Sequence, residues 1–262
     1  MIETASLIIF LVFVWLMIKA SRSRWRGATS KSRETLKPGW KEILEDKVRF
    51  YQRLEPEEKK EFEAGVLKFL RQCTITGIKT KVTDEDRILV AASAVIPLFR
   101  FPDWEYRNIN EVLLYPDSFA YDYDLEGDDR SILGMVGTGT LNNKMILSRP
   151  SLRKGFGNKT DKHNVAIHEF VHLLDKADGS TDGIPEYLMD KQYIIPWLKL
   201  MRNEIKAVQE GDSDIHPYGS TSEAEFFSVV SEYFFERPNL FERKHPELYR
   251  ILEKIYRLDS EQ

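Results

Sequence analysis

The longest apolar run comes at the start of the chain. The segment 4–18 carries no charge and is apolar almost throughout from Leu7 to Ile18, so its apolar side chains would cover every side of a helix. As a helix, residues 1–20 would reach about 30 Å, the thickness of a bilayer core. Trp15 would sit near its basic end, at the membrane interface. The pattern predicts a transmembrane helix over 1–20. Beyond Pro38 the apolar positions become spaced. Ile43, Leu44, Val48 and Tyr51 predict a helix over 41–54, and Phe62, Val66, Phe69 and Leu70 another over 56–71. A denser set, from Ile88 to Val95, predicts a buried helix over 84–96. Val112-Leu113-Leu114-Tyr115 before Pro116 reads as a strand. Residues 132–140 and 144–148 read as two strands around the turn Leu141-Asn142-Asn143. Ala166, Ile167, Phe170, Val171, Leu173 and Leu174 form an apolar helix, with Gly179 as its stop signal. Further helices are expected near 194–209, 222–235 and 246–258. The result is an α+β body, mostly helical, with a small sheet ahead of the apolar helix.

Charge divides the chain in the same place. Between positions 19 and 37, Lys19, Arg22, Arg24, Arg26, Lys31, Arg33 and Lys37 face only Glu34, a local balance of +6. The whole chain carries −4 and Glu3 is the only other charge before Pro38, so the rest carries −9. An acidic body argues against direct nucleic-acid binding. A cleaved signal peptide would begin with positive charge and end at a small-residue site. Here the start carries Glu3 and the positive charges follow the apolar run, so an uncleaved, single-pass anchor is expected. The positive-inside rule then leaves the body in the cytoplasm. The expected organisation is an anchor over 1–20, a basic juxtamembrane linker over 21–37, and one domain over 38–262. The single cysteine, Cys73, excludes an internal disulfide framework. It has no histidine near it in sequence and is expected to be a buried, inert thiol. The acidic stretch 122–129 lacks EF-hand spacing and is expected to be a solvated loop.

The apolar helix contains the chemistry. His168-Glu169-Phe170-Val171-His172 reads His-Glu-x-x-His. Residues four apart lie one turn apart on the same helix face, so His168 and His172 can grip one metal ion. Glu169 can reach a water on that metal. Zinc lowers the pKa of its bound water to about 7, and a neighbouring carboxylate can then take the proton. A catalytic zinc has three protein ligands and an open position. For the third, the residues alone leave Glu223, Glu225, Glu232, Glu236, Asp175 and His216 open. Asp175, three residues after His172, is expected to orient an imidazole. His163, His216 and His245 are expected at the surface or as caps.

The segment Tyr218-Gly219-Ser220-Thr221-Ser222-Glu223-Ala224-Glu225-Phe226-Phe227 resembles the part of the anthrax lethal factor metalloprotease lobe that supplies a glutamate ligand, with a tyrosine seven residues before it. More broadly, the chain from Trp40 to about Leu252 resembles the Mlc titration factor A family of zinc-dependent peptidases. The likeness runs through Ala91 to Phe101, Val112 to Pro116, Ile167 to Asp175 and Ala224 to Phe235. It implies a zincin-type (gluzincin) metallopeptidase domain from a bacterium. His168, His172 and Glu225 would hold Zn2+, Glu169 would be the general base, and Tyr218 would assist near the metal. Glu223 would then serve the helix start and Glu232 would support a ligand from behind. The implied substrate is a short peptide or protein, with an aminopeptidase mode among the alternatives. A second class of function stays open beside it, a regulatory binding module that sequesters a transcription repressor, as the family does.

Overall fold

The computed structural model describes residues 35–120, 130–137, 139–158 and 160–258. The expected anchor, the linker up to residue 34 and the acidic stretch 122–129 lie outside these. Among the described residues no helix is long and apolar enough to cross a membrane.

The body is helical around a small mixed sheet. The first predicted helix is two, α1 (Pro38–Lys47) and α2 (Arg49–Gln52), because buried Val48 takes an extended conformation between them. Helix α3 (Pro56–Gln72) starts with proline at its first position and a capping box between Glu55 and Glu58. Strand β1 (Thr74–Gly77) follows, then α4 (Asp84–Val95), capped by Thr83 and Asp86. The sheet continues with β2 (Glu111–Tyr115), β3 (Gly134–Val136) and β4 (Lys144–Ser148). Its order is β1-β2-β4-β3, with β1, β2 and β4 parallel and β3 antiparallel to β4. Helix α5 (Arg149–Gly157), the apolar helix α6 (Val165–Asp175), the long α7 (Lys191–Glu210), α8 (Glu223–Glu236), α9 (Pro238–Lys244) and α10 (Pro246–Ile255) complete the described chain.

Three of these elements were not legible in the sequence. Strand β1 has one apolar residue in four, α5 carries two glycines, and α9 is a short continuation after the break at Arg237. The strand expected over 132–140 shrinks to Gly134–Val136, with Ile132 left as a lone bridge to Phe119. Past Val136 the chain turns back on itself. A Cβ on Gly137 would lie 2.1 Å from the Leu141 carbonyl, and Gly139 has φ +58°.

Strands β2 and β4 are buried on both faces. Val112, Leu114, Met145 and Leu147 join the main core beneath the helices, whereas Leu113, Tyr115 and Ile146 meet Phe119, Ile132 and Met135 on the other side. Buried parallel strands read as continuous apolar runs for this reason. β1 and β3 are the edge strands, and β3 packs against α6.

Candidate metal centre

Helix α6 is seated from three sides. Asn164 is its N-cap, with Oδ1 accepting from Ile167 N at 3.2 Å. On its far face Phe170 is fully buried, with its ring centroid 5.5 Å from Phe69 and 5.3 Å from Tyr106. Burying one such ring contributes about 1.5–3 kcal/mol. At the other end Asn108 donates to the Leu173 carbonyl at 2.7 Å. The helix is therefore a rigid rail, and its near face carries the two histidines.

Helix α8 packs across that face. Ser222 caps it, with Oγ accepting from Glu225 N, and so sets Glu225 in the first turn. The Glu225 carboxylate then meets both rings. His168 Nε2 lies 2.9 Å from Glu225 Oε2, His172 Nε2 lies 3.3 Å from the same oxygen, and the two Nε2 atoms are 3.0 Å apart. Ligands held at about 2.0–2.1 Å from a tetrahedral zinc stand about 3.3 Å from one another. The three atoms thus form a slightly contracted triangle that a metal ion of that size would hold with a small outward shift. Among the described residues these three form a group that could hold a metal ion.

The atoms behind the rings agree. His168 Nδ1 donates to Glu232 Oε1 at 2.7 Å, and the other oxygen of Glu232 accepts from Asn164 N at 2.6 Å. Ser228 Oγ lies 3.2 Å from His172 Nδ1. A proton held on each Nδ1 leaves each Nε2 lone pair free for a metal, the usual arrangement of a ligating imidazole. Burial opposes charge on His168, but Glu225 and Glu232 outweigh it and push the imidazole up to about 10. Burial also opposes charge on Glu225, yet the two histidines hold its carboxyl well below its ordinary value. The same two carboxylates that favour positive charge on His168 would favour a metal cation beside it. Metal binding at Nε2 requires that nitrogen to be deprotonated.

Glu169 is buried beside this triangle and contributes no atom to it. Burial raises its carboxyl above the ordinary value, ahead of the opposing effect of the two histidines. Tyr218 sits on the short turn Pro217–Ser220 that leads into α8, half-exposed, its ring centroid 6.0 Å from that of His168. The structure therefore brings His168, His172 and Glu225 together, with the Tyr218 ring near that of His168 and Glu169 buried on the same helix as the two histidines.

Other expected positions fall differently. Asp175 makes no hydrogen bond to an imidazole. Its Oδ2 accepts from Gly183 N at 3.0 Å, and burial pushes its carboxyl up to about 6. Gly183 has φ +75°, and a Cβ there would lie 2.4 Å from the Glu223 carbonyl, at the start of α8. Trp197 Nε1 donates to the Gly183 carbonyl at 2.7 Å. Asp175 thus ties the end of the histidine helix to the start of the Glu225 helix through a loop. Glu223 faces Arg202 and stays out of the triangle. His216 does cap, accepting from Tyr218 N. His245 takes the cap position between α9 and α10, without a side-chain cap hydrogen bond. Its ring is largely buried between Glu204 and Asp214. Ser228, Asn164 and Gly183 carry no motif that would have singled them out.

Residues 21–257 match the family described as glucose-regulated metallo-peptidase M90. An uncharacterized protein of Synechocystis sp. is 31% identical over 237 residues, 86% of this chain and 85% of its own length. Mlc titration factor A of Pectobacterium atrosepticum is 28% identical over 221 residues, 79% of this chain and 81% of its own. Mlc titration factor A of Escherichia fergusonii is 27% identical over 254 residues, 89% and 91% of the two chains.

Proposed function

The chain belongs to the glucose-regulated metallo-peptidase M90 family, and from that membership we propose that it is a zinc-dependent peptidase acting on peptides or proteins. The observation that carries the reading is the convergence of His168 Nε2, His172 Nε2 and Glu225 Oε2 within 3.3 Å, with buried Glu169 next to them. These three residues would hold Zn2+, which supplies Lewis-acid polarisation of the scissile carbonyl and acidifies a water. Glu169 takes the proton from the attacking water and passes it to the leaving amine. A carboxyl raised by burial is better suited to that double duty than one at its ordinary value. Tyr218 donates a hydrogen bond to the substrate oxygen as negative charge grows there. The edge of β3 runs beside Glu169, so an extended peptide can pair with it and present its scissile bond to the site.

The test is a metal analysis of purified protein paired with turnover of a peptide panel. About one zinc per chain is expected, with hydrolysis lost and metal kept in Glu169→Gln. Full turnover in that variant refutes the mechanism.

A second reading rests on the relatives' name, Mlc titration factor A, which ties those proteins to Mlc. A protein-binding role of that kind, toward a transcription regulator, is the alternative, and a zinc-loaded protein that turns over no peptide would favour it. Residues 1–20 are proposed as a membrane anchor and 21–37 as a linker, with the body on the cytoplasmic side.

A further inference from the structure

Gly134 opens the edge strand β3, opposite Leu147 of β4, on the side of the sheet that faces α6. A Cβ at this position would lie 2.7 Å from Val165 Cγ1, 2.9 Å from Glu169 Cγ and 2.9 Å from Glu169 Oε1. A Cβ carbon essentially never stands so close to another heavy atom to which it is not bonded. Gly134 is in a regular strand, so a side chain is excluded by space and not by backbone conformation. Two of the three atoms that a methyl group would meet belong to the carboxylate arm of Glu169. Val165 and Glu169 stand on the same helix, but the β-branched Val165 is stiff at χ1 whereas the Glu169 arm has three rotatable bonds. Space is therefore taken from Glu169 first.

We infer that Gly134 is a positioning residue whose missing side chain seats the Glu169 carboxylate between the edge strand and the metal helix. The inference rests on the peptidase reading only for its effect on turnover. Its geometric content concerns where Glu169 sits. The same empty space brings the β3 backbone close to the proton acceptor, so a peptide pairing with that edge arrives within reach of it. The three atoms nearest the added methyl belong to Val165 and Glu169, so Gly134→Ala should act on the Glu169 carboxylate before His168, His172 or Glu225. A misplacement of about 1 Å costs up to about a hundredfold in rate.

The experiment compares crystal structures, zinc affinity and kinetics of the wild-type protein and Gly134→Ala. The expected variant has Glu169 rotated from its site, α6 unmoved and zinc affinity within about threefold. Its kcat falls at least about tenfold while KM changes less than about threefold. In a Glu169→Ala background no atom of that side chain beyond Cβ is left to clash, so adding Gly134→Ala should lower the unfolding midpoint less than it does in the wild-type protein. If Gly134→Ala folds poorly, Val165→Ala removes the closest contact and leaves the clash with Glu169. An unmoved Glu169 overturns the inference, and so does an equal loss of stability from Gly134→Ala in the Glu169→Ala background, which would mark a general disturbance of the strand. Should the wild-type protein hydrolyse no peptide, the peptidase reading falls and the crystallographic comparison alone decides the role of Gly134.

Discussion

Glu232 is the residue whose replacement tests the site most severely, because both of its oxygens are committed. Oε1 accepts from His168 Nδ1 at 2.7 Å and Oε2 from Asn164 N at 2.6 Å, and the side chain is almost fully buried. Glu232→Gln keeps the volume but offers one acceptor and one donor. If the amide NH2 faces His168, the ring must accept with Nδ1 and carry its proton on Nε2, where a metal would bind. If it faces Asn164, the backbone donor that opens α6 loses its partner. Losing the carboxylate behind a ligating histidine typically costs 10–100-fold in metal affinity, or about 1.4–2.7 kcal/mol. A buried donor left unsatisfied costs about 1–3 kcal/mol of stability. Competitive zinc titration against a chelator and urea denaturation of the metal-free protein measure the two effects separately. Zinc affinity should fall at least about tenfold, or the unfolding midpoint should drop by about 1 M, and Glu232→Ala should show both. A Glu232→Gln protein that binds zinc within twofold of wild type and unfolds at the same urea concentration would refute the assignment of the His168 tautomer.

Glu225→Ala should lower zinc affinity much more than Glu223→Ala in the same titration, and equal losses would remove Glu225 from the ligand set. Tyr218→Phe should keep its zinc and lose one to two orders of magnitude in turnover, roughly the effect of one lost oxyanion donor, and unchanged turnover would reduce Tyr218 to packing. Glu236, hydrogen-bonded by Asn164, is pushed by burial from about 4.5 up to about 7, so the folded chain holds this proton more tightly than the unfolded one. Its contribution to stability therefore falls as pH rises from about 4.5 to 7 and is flat above. Glu236→Gln should remove that slope and gain roughly 1–2 kcal/mol at pH 8, measured by denaturation across pH, and an unchanged pH profile would contradict it. The full chain should remain in the membrane fraction through a high-salt wash, whereas a chain beginning near Pro38 should be soluble and still bind zinc. Release of the full chain by salt would refute the anchor over 1–20 and leave only the electrostatic attraction of the basic stretch.

What the sequence determined is what depends on neighbours in the chain. The i, i+4 spacing of His168 and His172 on an apolar helix is a local fact, and so are the Ser222 cap and the apolar run that bury α8. Helical phase alone puts two imidazoles on one face. The third corner is not local. Glu225 stands 57 residues from His168, and only the packing of α8 across α6 selects it over Glu223, two residues away on the same helix. The resemblance pointed to Glu225, while the spacing left several acids open. Asp175 shows the limit of periodicity. Its position three after His172 suggested an imidazole partner, but the chain beyond Gly179 folds back and offers a backbone N–H at Gly183, and a buried carboxylate takes the donor that reaches it. Gly134 carried no signal, since a glycine in a short strand has many explanations. Only the approach of β3 to α6 shows that the space beside it belongs to Glu169. Local order is written in residue spacing, and the site is completed by contacts between segments whose separation no pattern along the chain encodes.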